Sequence, residues 1–228
     1  MALPKLDSPV YNIEIPSMKK KVKYRPFLVK EEKLLLMARE SKNTKEQITC
    51  IKQIINNCIL DEIDVDTMTT FDLEFLFVNL RARSVGEVVE VLYECPHCRE
   101  KTNTEINLTN IAMENLDNTE ENIKLTNSVG MKMKYPTFDT MLDAENSSLV
   151  DIVVSCLEYI YDEKTTYSVS DYTRDEVGEF LESLTFDQLK GVEEFFDKMP
   201  KLVYRKTFKC PVCGESSEQV IEGITNFF

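Results

Sequence analysis

Two Cys-Pro-x-Cys knuckles, Cys95-Pro96-His97-Cys98 and Cys210-Pro211-Val212-Cys213, constrain this chain more than any other feature. A two-residue gap lets both thiolates of a pair reach one ion from a tight turn, and two pairs supply the four soft ligands of a tetrahedral zinc site. Cys95, Cys98, Cys210 and Cys213 are therefore the candidate metal ligands. A continuous zinc ribbon separates its pairs by about 15–20 residues, whereas 111 residues lie between these two. The spacing predicts a split ribbon with a separate body inserted between its halves, and a metal that acts as a clasp. Four cysteines leave no open coordination position, so the expected Zn2+ is structural and its binding energy is folding energy.

Other chemistries fit the inventory poorly. The first knuckle matches the tetrad of thiol–disulfide oxidoreductases, but a redox pair needs its first thiolate at a helix N-terminus, where the dipole lowers the pKa. The residues after Cys98 carry no apolar helical stripe, and the second pair is followed by Gly214. His97 is the sole histidine, and with four thiolates at hand it is expected to point outward. Ser/His or Cys/His nucleophilic chemistry would have to use this one residue, which the knuckle preoccupies. The six glycines are not clustered, so no phosphate-cradling loop is present. The chain reads as a non-enzyme. Cys50, Cys58 and Cys156 lie on apolar helical faces and read as small core side chains.

The net charge of −13 is unevenly spread. Residues 1–45 carry 11 Lys/Arg against 5 Asp/Glu, and the remainder 16 against 35. So acidic a body is a poor ligand for nucleic acid, whose phosphates require cationic surface. The basic run Lys19-Lys20-Lys21-Val22-Lys23 reads as a solvated turn or a surface that meets an acidic protein, which also allows self-association between a basic arm and an acidic body. No run of 18 apolar residues and no signal-peptide core occurs, so a soluble protein without a membrane anchor is expected. Seven cysteines fit a reducing compartment.

The patterning predicts an α+β fold, mainly helical, with an N-terminal β-hairpin arm and a split zinc ribbon interrupted by a helical insert. The expected parts are an arm at 1–28, a helical subdomain at 29–86, the ribbon at 87–108 plus 201–228, and an acidic insert at 109–200. Helices are expected at 29–40, 45–60 and 71–84, the last apolar around much of its circumference and so buried. Strands should lead into and out of each knuckle. Residues 109–122 read as loop with a short helical turn, and 123–125 with 131–135 as a hairpin. A helix is expected at 149–161, capped by Ser147 or Ser148. Two further helices should start at the capping boxes Thr173-Arg174-Asp175-Glu176 and Thr185-Phe186-Asp187-Gln188. The terminal Phe227-Phe228 is expected to pack on the ribbon.

Several segments together resemble a known family. They are Val22-Lys23-Tyr24-Arg25-Pro26-Phe27 with Lys30-Glu31-Glu32-Lys33, then Phe71 to Phe77 running on to Leu80-Arg81-Ala82-Arg83-Ser84-Val85-Gly86-Glu87. The first knuckle, Met133-Lys134-Tyr135-Pro136, Phe195 to Leu202 and the second knuckle follow in order. This order is similar to that of the baseplate hub and hub-assembly proteins of T-even-type contractile-tailed bacteriophages. The resemblance implies a non-enzymatic hub component or assembly factor, with other baseplate hub or tape-measure proteins as partners. It places the protein in the host cytoplasm during assembly and at the virion tail baseplate. The alternative is a phage regulator whose zinc ribbon contacts nucleic acid or RNA polymerase through Arg99, Lys101, Arg205, Lys206 and Lys209.

Overall fold

In the computed structural model, which describes residues 6–117, 121–144 and 148–223, the chain divides into two compact units. One comprises Met1–Glu114 with Lys201–Phe228 and the other Asn115–Pro200. Among the described residues both helix and strand are well represented, so the class is α+β.

The first unit opens with Tyr11–Ile15 (β1) paired antiparallel to Lys20–Tyr24 (β2). The basic turn between them does not float. Asp72, fully buried, accepts the Ser17 amide at 3.0 Å and the hydroxyls of Ser17 and Thr69. These donors offset the cost of removing a carboxylate from water, although burial still pushes the Asp72 carboxyl above its usual range despite the Ser17 and Thr69 hydrogen bonds. A second polar anchor follows. Arg25 forks onto the buried Glu31 at 3.1 and 3.2 Å and reaches the Asn57 carbonyl at 2.8 Å.

Three helices of this unit bury apolar side chains: Val29–Glu40 (α1), Thr44–Cys58 (α2) and Thr70–Ser84 (α3). Asn43 caps α2 and Thr69 caps α3, each accepting amides that the first turn leaves unpaired. On α2, Ile48, Ile51, Ile55 and Cys58 recur at helical spacing and all are buried. On α3, Phe71, Leu73, Leu76, Phe77, Val78 and Leu80 are buried, as its all-round apolarity predicts. Each such side chain contributes about 1.5–3 kcal/mol on leaving water.

Val88–Glu94 (β3) and Lys101–Asn107 (β4) form the hairpin that carries the first knuckle. Residues 109–122 are not simply loop. Ala112–Glu114 (β5) is a strand, and its partner lies far along the chain.

The second unit is built on a four-stranded antiparallel sheet. Its strands, in sheet order, are Asn122–Lys124 (β6), Gly130–Met133 (β7), Leu157–Tyr161 (β8) and Thr166–Ser168 (β9). Phe138–Ala144 (α4) and Leu149–Cys156 (α5) precede β8. The expected helix over 149–161 therefore ends at Cys156, and the chain passes directly into strand. Leu157-Glu158-Tyr159-Ile160-Tyr161 is aromatic and β-branched, and pairing Ile160 with Met131 decides its conformation. At Gly130 a Cβ would meet the Tyr161 ring and would lie 3.0 Å from the Ile123 carbonyl oxygen, so only glycine lets β6, β7 and β8 close up here. Ser148 caps α5. Both predicted threonine boxes form, starting Arg174–Glu182 (α6) and Phe186–Asp197 (α7). Val153, Val154, Val177, Leu181, Val192 and Phe195 pack onto Met131 and Met133, and Tyr135 stacks on Phe195 at 5.3 Å.

Lys201–Lys209 (β10) and Ser216–Glu222 (β11) return to the first unit. There β10 pairs with β11 on one edge and with β5 on the other. The Phe227-Phe228 tail and Ser147 lie outside the described residues.

Candidate metal centre

Each knuckle is closed by two backbone hydrogen bonds. The Cys95 amide donates to the Glu100 carbonyl at 3.0 Å and the Arg99 amide to the Cys95 carbonyl at 2.8 Å. The second knuckle repeats them, Cys210 to Glu215 at 2.8 Å and Gly214 to Cys210 at 2.9 Å. The turn ends in the left-handed region, with φ of 60° at Arg99 and 77° at Gly214. Glycine occupies that conformation without penalty, whereas arginine does not. The likeness extends beyond the knuckles. Every residue of β3 and β4 has a counterpart at a constant offset in β10 and β11, from Val88 with Val203 to Asn107 with Glu222.

The hairpins meet through Tyr93 and its counterpart Phe208, whose ring centroids lie 4.0 Å apart, and through the Tyr93 hydroxyl and the Ser217 Oγ. This contact faces the four cysteines toward one another. Cys95 and Cys210 are buried, Cys98 and Cys213 exposed. The Cys95 and Cys213 Sγ atoms are 3.7 Å apart, as are those of Cys98 and Cys210, and all four lie within 4.8 Å of one another. A disulfide needs about 2.05 Å, so these thiols are unbonded. Four thiolates about 2.3 Å from a tetrahedral ion stand about 3.8 Å apart, so the four sulfurs are at metal-binding distance.

Electrostatics points the same way. The Cys98 amide, with that of His97, is aimed at the Cys95 sulfur and holds its thiol down at about 6. The Glu100 amide acts likewise on Cys98, but partial desolvation beside the other sulfurs, and the sulfurs of Cys210, Cys213 and Cys95 themselves, outweigh it and push that thiol up to about 12. Cys213 is raised too, partial desolvation and Cys210 outweighing the Glu215 amide. Like charges this close oppose one another, so four thiolates together require a cation among them.

The remaining cysteines stay apart from this cluster. Cys58 and Cys156 are buried and Cys50 half-buried, and burial pushes Cys58 and Cys156 up to about 11. His97 is exposed and does not join the ligand group. Turn, not helix, follows Cys95, so its lowered pKa comes from knuckle amides rather than from a helix dipole. Three ribbon cations are engaged within the unit. Arg205 forks onto Glu114 at 2.9 and 3.1 Å, Lys206 donates to the Glu105 carbonyl at 2.7 Å, and Lys101 lies 3.6 Å from Glu94. The left-handed Arg99, the Tyr93–Ser217 link and the third strand β5 were not foreseen from sequence. The aligned Tyr93 and Phe208, two residues before their cysteines, were the available signal for the hairpin contact.

A family model described as T4 bacteriophage base plate protein matches residues 8–228. The chain is 25% identical over 219 residues to the baseplate hub assembly protein gp26 of Enterobacteria phage T4, covering 96% of this chain and 97% of that protein. No solved structure matches the chain significantly. Because the match spans both knuckles and the whole body between them, the chain belongs to the T4 bacteriophage base plate protein family.

Proposed function

We propose that this protein is a non-enzymatic assembly factor for the hub of a phage tail baseplate, which binds other hub or tape-measure proteins through surfaces fixed by a four-cysteine clasp. The end-to-end likeness to a baseplate hub assembly protein carries this reading. In it, Cys95, Cys98, Cys210 and Cys213 hold one Zn2+, whose role is to cross-link the two ends of a ribbon that a long segment interrupts. The all-sulfur donor set favours zinc over the harder divalent ions. The parts are an arm at 1–28, a helical subdomain at 29–86, the ribbon at 87–108 plus 201–228, and the insert at 109–200. The protein acts in the host cytoplasm and at the tail baseplate.

The test is affinity purification of the tagged chain from infected cells, with mass spectrometry of tail intermediates and mature particles. Recovery of hub or tape-measure proteins is expected. Recovery of RNA polymerase or nucleic acid in their place would sink the reading. Elemental analysis should find one zinc per chain, and a metal-free native protein with four freely reactive knuckle thiols would remove the clasp.

A further inference from the structure

The second unit contains a groove of about 440 Å³ between the β8–β9 hairpin and α6. Four aromatic side chains, Tyr161, Tyr167, Tyr172 and Phe180, line it beside aliphatic ones. Tyr167 and Tyr172 are 36% and 45% exposed, and their rings are tilted by 57° with centroids 6.5 Å apart, so they open as a V. Two carboxylates stand at the rim. Asp162 accepts the Tyr167 hydroxyl at 2.9 Å. Glu176 spends its Oε2 on capping Thr173, which leaves Oε1 without a hydrogen bond among the described residues. Among the described residues no lysine or arginine lines the groove. The segment 115–200 that forms this unit carries 19 Asp/Glu against 7 Lys/Arg, nearly all the net charge of the chain.

The same sheet already shows what such an arrangement holds. On β7, the Lys132 ammonium lies 5.6 Å over the Tyr159 ring, with Glu158 at 2.9 Å and Glu121 at 3.6 Å. An aromatic face flanked by carboxylates attracts a cation through the ring quadrupole and the net negative field together. The groove presents the same elements, and no described residue of its lining supplies the cation.

We infer that this groove is a docking site for an extended basic segment of a partner protein, with an arginine or lysine side chain seated between Tyr167 and Tyr172 and within reach of Glu176. The planar guanidinium of arginine suits it better than ammonium, because it can lie flat on a ring while donating to a carboxylate. Steering by the acidic unit makes the encounter fast and salt-sensitive. The inference rests on the assembly reading only for the cation's source, a partner protein. A peptide assay tests the groove, whereas infected-cell co-purification tests the reading, so either can fail alone.

The probe is an unstructured, aromatic-free peptide with two arginines spaced by glycines, titrated into the full-length, metal-loaded protein carrying ring-labelled tyrosine. The expected result is saturable shifts of the Tyr167 and Tyr172 ring resonances. Affinity should fall at least tenfold when citrulline replaces arginine, and again in Tyr172→Ala, whose fold is checked by an unchanged Tm. Glu176→Gln, which keeps a capping oxygen, should weaken binding severalfold. Equal affinity for the citrulline peptide, or ring resonances that do not move, would overturn the proposal. So would sedimentation showing a dimer that Tyr172→Ala abolishes, since the groove's occupant would then be a second copy of the chain.

Discussion

The hairpin β3–β4 and the hairpin β10–β11 place their cysteines with the same pair of backbone hydrogen bonds, yet their surroundings differ. The second hairpin belongs to a three-stranded sheet, because β5 pairs with β10 and Arg205 forks onto Glu114 across that junction. The first stands as a two-stranded sheet, a form marginal on its own. Its support is the small core in which Val89 and Ile106 meet Val78, Leu202 and Tyr204, together with the Tyr93 contact. The turns differ as well, glycine in the left-handed position of one and arginine in that of the other. A knuckle thus depends on its cysteines and closing amides, whereas the stability of its hairpin is set by what flanks it. The first hairpin should lean more heavily on the clasp.

The largest expected effect follows from removing the clasp. Cys95→Ser and Cys210→Ser should each abolish tight metal binding and cost about 3 kcal/mol or more, a fall of ~6–12 °C in Tm for a chain of this size. Chelation should then separate the hairpins. In hydrogen exchange, amides of β3 and β4 should lose protection before those of β10, which keeps β5 as a partner. Simultaneous loss in both would show that β5 contributes nothing to the asymmetry.

The turns give a smaller contrast. Gly214→Ala forces a Cβ into the left-handed region and should cost about 1 kcal/mol, whereas Arg99→Gly should relieve strain and leave Tm unchanged or raised. Thermal melts of both variants with metal bound decide this, and a destabilised Arg99→Gly would mean that the arginine side chain has a role beyond the turn. Next in size, Tyr93→Phe makes the first hairpin resemble the second at this position. It removes the hydrogen bond to Ser217 and should cost about 1 kcal/mol, with metal stoichiometry unchanged.

Those features were unequally legible in the chain. The knuckles could be read because metal ligation restricts residue type and spacing, and the two threonine boxes because a cap and its partner lie three residues apart. Elements that depend on distant partners could not. Ala112-Met113-Glu114 is too short to show a period, and only β10 makes it a strand. Leu157 to Tyr161 continues an apolar run that begins at Leu149, so it reads as more helix until β7 claims it. Glu31 and Asp72 look like ordinary first-turn charges of their helices, but Arg25 and Ser17 make them buried anchors. In the candidate site the ligand set was legible, whereas Arg99 was hidden because arginine gives no sign of a positive φ.

The smallest effect should be a pH-dependent one confined to the second hairpin. Arg205, donating to Glu114 and placing its charge beside it, lowers the Glu114 carboxyl below its usual range. A carboxylate depressed by folding contributes stability that is present above its unfolded pKa, about 4.3, and is lost as pH falls through the lower folded value. Both side chains are partly exposed, so solvent screens the pair and its contribution is slight. From pH 6 down to pH 3 the protection of β10 over β3 should therefore narrow. Glu114→Gln should show the narrowed difference already at pH 6 and little further change. Acid also protonates thiolates and releases metal, so the comparison belongs in the chelated protein, where only the flanking contacts separate the hairpins. If β10 keeps its full advantage at pH 3, the ion pair is incidental and the backbone pairing of Ala112 with Val203 carries the asymmetry alone.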